Sequence, residues 1–186
     1  MIHSIDLADH HMVAMSRSTL AALRSILFRD AGPAAAGALQ EAGYTGGEAV
    51  YQSFADWLRR QGKASPADLE VGEFQRKASM YFREAGWGTI AIGSLGDELA
   101  TVDSADWGEA EPGAGLDQPG CHITTGLFAD FFGRLSDVPL AVLEVECRSA
   151  GHDRCRFLLG NADVMRSLYD EMEKGQSYTD AVAALA

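Results

Sequence analysis

The hydrophobic period of this chain changes once, at Trp87, and that change limits the fold more than any other feature. Upstream, apolar residues recur at three- and four-residue steps, the spacing of one helix face. Met12, Met15, Leu20, Leu23, Ile26 and Leu27 predict a helix over 12–28. Arg29-Asp30-Ala31-Gly32-Pro33 breaks it, and Pro33 suits the first turn of a second helix running to Trp57-Leu58. Gly43, Gly46 and Gly47 interrupt that helix, which predicts a kink or a close helix contact. Ser65-Pro66-Ala67-Asp68 has the form of a third helix start. The apolar stripe Leu69, Phe74, Ala78, Tyr81 and Phe82 follows, and Gly86 ends it.

Downstream of Trp87 the apolar runs are short and separated by turns. Residues 89–93 and 98–103 read as two strands joined at Leu95-Gly96-Asp97. Residues 108–120 hold four glycines and two prolines, so they form a loop. A helix over 122–135 comes next, then strands over 138–147 and 154–159 around the turn 149–153. Asn161-Ala162-Asp163 caps a helix to Met172, and a short helix over 179–186 follows. Hairpins rather than β-α-β alternation predict an α+β fold: an antiparallel sheet with helices packed on one side.

At 186 residues the chain reads as one domain over 30–186 with an N-terminal helix over 1–29, whose apolar stripe is a candidate dimer face. The formal charge of -12, from 27 acidic against 15 basic residues, opposes a phosphate backbone and argues against nucleic acid as a partner. No run approaches the ~20 apolar residues of a membrane span. The first residues lack the basic and apolar regions of a secretory signal, so the expected location is the cytoplasm. Disulfides are rare there, and three cysteines cannot all pair.

Cys147 and Cys155 flank the tight turn of the second hairpin, and Cys121 stands at a helix start, where a thiolate is favoured. Three thiolates suit a soft or borderline cation such as zinc, which takes four ligands. Glu144, Glu146, His122 and His152 are all within reach for the fourth. Glu144 and Glu146 share one strand face, so Cys147 points the other way unless a bulge or strand end turns it. The plain alternative is that the cysteines are buried hydrophobic filler.

Cys121-His122 with Gly126, then Glu144-Val145-Glu146-Cys147, Gly151 and Cys155-Arg156-Phe157 resemble the signature of the 4-vinyl reductase domain family. Gly43-Tyr44 with Gly47, and Gly86-Trp87-Gly88, resemble further family features, so the likeness spans about residues 30 to 160. The resemblance implies a fold like that of TRAPP subunits and a structural zinc on Cys121, Glu144, Cys147 and Cys155. It also implies an apolar pocket for a small aromatic effector, and dimerisation through N-terminal helices. One branch senses phenol or toluene; another is linked to bacteriochlorophyll synthesis.

Three functions follow as expectations. The first is a sensor-type domain that binds a hydrophobic small molecule in a pocket lined by Tyr51, Phe54, Phe82, Trp87, Phe128 and Phe131. The second is an accessory or reductase protein acting on tetrapyrroles; the third is a TRAPP-like dimeric scaffold. No G-x-G-x-x-G joins a strand to a helix, no nucleophile elbow occurs, and a zinc with four protein ligands does not activate water. No P-loop occurs either, so the readout of a bound effector is expected to fall to a separate signalling or biosynthetic protein.

Overall fold

Helix α1 (Arg17–Ala31) opens the regular structure, and Ser16 caps it by accepting the Thr19 N–H. The start lies five residues beyond the sequence expectation, because Met12 and Met15 continue the apolar spacing upstream of the cap. Helix α2 (Ala34–Arg60) runs unbroken for 27 residues, so its glycines do not interrupt it. Ser65 and Pro66 start only a single 3-10 turn, Pro66–Asp68, and α3 (Val71–Glu84) begins after Glu70. Strands β1 (Ala91–Leu95) and β2 (Leu99–Ser104) precede α4 (His122–Ser136), β3 (Ala141–Glu146) and β4 (Cys155–Gly160). Helices α5 (Ala162–Glu173) and α6 (Tyr178–Ala183) complete the order. This computed structural model describes residues 5–63, 65–96 and 98–184. Asp97 of the first turn and the last two residues of the expected terminal helix lie outside them.

The four strands form one antiparallel sheet in the order β1-β2-β4-β3. Period-two alternation divides its side chains between two layers. Val102, Phe157 and Leu159 join the main core beneath α2, α3 and α4, which is the expected helical side. Leu99 and Leu158 face the other way, into a smaller apolar cluster with Met165, Leu168 and Ala181 of α5 and α6. The sheet therefore has helices on both faces, with the terminal pair adding a thin second layer.

The most extensive helix contact is α2 against α4. A Cβ on Gly43 would lie 2.0 Å from the Ile123 carbonyl oxygen, and one on Gly126 would lie 1.9 Å from that of Gln40. Glycine at these positions lets two backbones touch. No helix among the described residues is long and apolar enough to cross a membrane.

A candidate metal centre beside an aromatic core

Cys121 ends the 108–120 loop and stands at the N-cap of α4. Cys147 follows β3, and Cys155 opens β4. Their placement depends on a register shift between Glu144 and Glu146. Glu144 pairs with Phe157, on the core side of the sheet. Beyond the bulge, Glu146 pairs with Arg156 and binds Arg154 at 2.7 Å. The two glutamates therefore part, and Glu144 shares the cysteines' side.

All four residues are buried, and one ligand atom from each lies within 4.8 Å of the others. Cys121 Sγ is 3.8 Å from Cys147 Sγ and 3.9 Å from Cys155 Sγ. Glu144 Oε2 accepts the Cys121 N–H at 2.8 Å, whereas its Oε1 is buried with no hydrogen-bond partner. The other three fourth-ligand candidates stand elsewhere. Glu146 is held by Arg154 and Tyr178. The His122 ring lies 5.4 Å from that of Phe28, and His152 is exposed, its Nδ1 beside the Cys147 backbone.

Such a cluster holds few protons comfortably. Burial, with the Cys147 charge added, pushes the Glu144 carboxyl up to about 9. The thiols of Cys147 and Cys155, together with burial, push Cys121 well up. Hydrogen bonds from Cys121 and Cys155 pull Cys147 far down. Four like-charging groups at this separation cannot all ionise without a compensating cation. Three sulfurs, one carboxylate and an unpartnered buried oxygen form a donor set that fits a metal ion.

The surrounding shell includes residues that the sequence reading did not single out. Glu109 accepts the Ile123 and Thr124 N–H groups at 2.9 and 2.8 Å. Burial pushes its carboxyl up to about 7, against the lowering effect of Thr124, Ile123 and Arg24. Arg24, buried on α1, donates to the Glu109 carbonyl and to Glu111. The Glu111 N–H donates to Ser149 Oγ at 2.8 Å, so the loop is stitched to the hairpin as well. Nothing in a linear sequence marks Glu109 as a cap for a helix that begins beyond a glycine-rich loop.

The six sequence-named aromatics lie in one network of ring contacts. Phe54, Phe82, Phe128 and Phe131 are fully buried; Tyr51 and Trp87 are half-buried. Phe82 lies 5.7 Å from Phe128 and 5.2 Å from Phe131, Phe131 lies 5.9 Å from Tyr51, and Phe54 lies 5.6 Å from Phe131. Trp87 stacks on Trp107 at 5.5 Å. Next to this network, between the end of α4 and the sheet, lies an apolar cleft of about 580 Å³. Ala100, Phe132, Leu135, Pro139, Leu140 and Leu159 line it. Phe132 links the two, with its ring 5.4 Å from Phe128.

Comparison with known proteins accords with this geometry. Residues 109–161 match the 4-vinyl reductase domain, and this stretch contains all four cluster residues. No curated protein sequence is matched. The fold is similar to the phenol-responsive sensory domain of the transcription activator PoxR, solved with phenol: 16% identity, 82% of this chain and 77% of that one, TM-score 0.62. It is also similar to a trafficking protein particle complex subunit 3 from Naegleria fowleri, covalently bound to palmitic acid: 13% identity, 77% and 91% coverage, TM-score 0.59. A vinyl-4-reductase family protein from Methanocaldococcus jannaschii aligns at 18% identity over 65% of this chain and 66% of that one, with TM-score 0.46.

Proposed function

Residues 109–161 being a 4-vinyl reductase domain, we propose that the chain is a small-molecule-sensing module whose ligand site is held in shape by a structural zinc ion. Cys121, Glu144, Cys147 and Cys155 are the ligands. The observation that carries the reading is their buried convergence within 4.8 Å, at the base of a helix whose far end borders an apolar cleft. A closed four-ligand zinc supplies folding energy rather than an activated water. Its ligands join the loop end, α4 and the β3–β4 hairpin, and α4 carries Phe128, Phe131 and Phe132 towards the ligand.

The ligand is an apolar molecule of small aromatic type. It enters by the cleft at Phe132 and packs against the network of Tyr51, Phe54, Phe82, Trp87, Phe128 and Phe131. Support comes from the cleft's apolar lining and from the phenol-bound PoxR domain of similar fold. Phenol is the first probe and palmitic acid the second. At a hundredfold excess over its dissociation constant, a ligand adds about 2.7 kcal/mol of stability. For a chain of this size that raises the melting temperature by about 5–10 °C. Phenol is expected to give such a saturable rise, and Ala100→Phe, which fills the cleft, to abolish it. No rise with either probe overturns the reading; a rise with palmitic acid alone redirects it to acyl chains.

The module dimerises through α1. Val13, Met15, Leu23 and Ile26 on and before this helix are exposed apolar side chains, while its one fully buried residue is Arg24. Light scattering is expected to give a dimer mass for the native chain and a monomer mass for Ile26→Asp. A native monomer contradicts this assignment and leaves the zinc and ligand sites unaffected.

A further inference from the structure

Helix α4 begins where a metal ligand also has to sit. The first N–H groups of a helix lack internal acceptors, and an N-cap side chain ordinarily supplies one by folding back on them. Cys121 occupies the N-cap of α4 and makes no side-chain cap bond. Its sulfur instead faces Cys147 and Cys155. The acceptors come from outside the helix. Glu109 Oε1 takes the Ile123 N–H, and Oε2 takes the Thr124 N–H and the Thr124 hydroxyl. Trp107 Nε1 donates to that hydroxyl at 2.7 Å, and Arg24 Nη1 donates to the Glu109 carbonyl at 3.3 Å. Glu109 is only 5% exposed, so this arrangement is built into the interior.

We propose that Glu109 is a positioning residue of the metal centre: it provides the α4 cap from a distant loop and so frees the Cys121 sulfur to bind metal. A sulfur turned back onto its own helix could not face the other two thiols. A carboxylate is well suited to the substitute role, because it accepts several N–H groups at once and sits at the positive end of the helix. The Cys121 N–H is served separately by Glu144 Oε2, so two carboxylates divide the helix start between them.

The inference rests on the zinc reading above, and its test separates the two. Zinc affinity is measured by chelator competition in the native chain and in Glu109→Gln. A fall of about tenfold or more is expected, as for other groups that orient metal ligands. Should Glu109→Gln not fold, Glu109→Asp, which keeps the charge and shortens the reach, is expected to weaken zinc in the same assay. Metal-free stability is then compared for Glu109→Gln in the native and Cys121→Ser backgrounds. Serine caps well, so the loss from Glu109→Gln is expected to be smaller with Cys121→Ser present. Native zinc affinity in the Glu109 variant, or equal stability losses in both backgrounds, overturns the inference. A native chain that takes up no zinc overturns the zinc reading instead.

Discussion

Cys155→Ser is expected to lower the melting temperature by about 10 °C or more and to abolish stoichiometric zinc binding. Cys155 opens β4 opposite Ser104 of β2, in the middle of the sheet, and its sulfur lies 3.9 Å from that of Cys121. Removing this ligand leaves two thiols and a buried glutamate around an incomplete site. Structural zinc contributes on the order of 10 kcal/mol to folding in small domains, so losing a ligand costs at least about 4 kcal/mol. At about 2–4 °C per kcal/mol for a chain of this length, that is a shift of about 10 °C or more. If the cysteines were plain core residues, serine would cost only about 1–3 kcal/mol for a poorly paired hydroxyl. Differential scanning calorimetry with parallel metal analysis separates the two. A variant with native zinc content and melting temperature would falsify the assignment of Cys155.

The second large effect concerns the α2–α4 contact. Gly126→Ala puts a methyl group 1.9 Å from the Gln40 carbonyl oxygen and 2.7 Å from the Tyr44 nitrogen. Both are backbone atoms, so no rotamer change relieves the clash and the helices must separate. The expected loss exceeds the ~1–3 kcal/mol usual for overpacking and reaches about 4 kcal/mol or more. Because α4 begins at the Cys121 cap, its displacement is also expected to loosen zinc. Gly46→Ala is the control. That position lies in the same group of glycines on α2, yet a Cβ there meets nothing within 4 Å. Alanine in an exposed helix interior should stabilise by about 0.5–1 kcal/mol. Urea unfolding of the two variants checks the contrast. Similar changes in both would mean that helix propensity, not backbone proximity, governs these sites.

That contrast also marks how far a linear reading reaches. The three-to-four periodicity of Leu20, Leu23 and Leu27, or of Phe74, Ala78 and Tyr81, announces helices because burial requires one apolar face. The glycines of α2 announced an irregularity of two kinds, and the fold selected close contact at Gly43 and Gly47 while leaving Gly46 open. Only the partner helix decides which, and spacing within α2 carries no information about α4. The metal cluster was partly legible. Cys147 and Cys155 bracket a turn that must bring them together. Glu144 and Glu146 could not be distinguished from a regular strand, because the bulge between them arises from pairing with β4. Glu109 and Arg24 left no local signal, since their roles exist only once a loop and α1 lie against the start of α4. The cleft at Phe132 was likewise hidden, because its walls come from four separate segments.

Every proposal above that concerns the metal depends on a cation holding the helix start against the hairpin. The direct test is elemental analysis of the native chain purified without chelators or a metal-affinity step, paired with its cobalt-substituted absorption spectrum. One zinc per chain is expected, together with the intense charge-transfer bands of a tetrahedral thiolate site. A folded chain that carries no metal and takes up neither ion would contradict the account at its base.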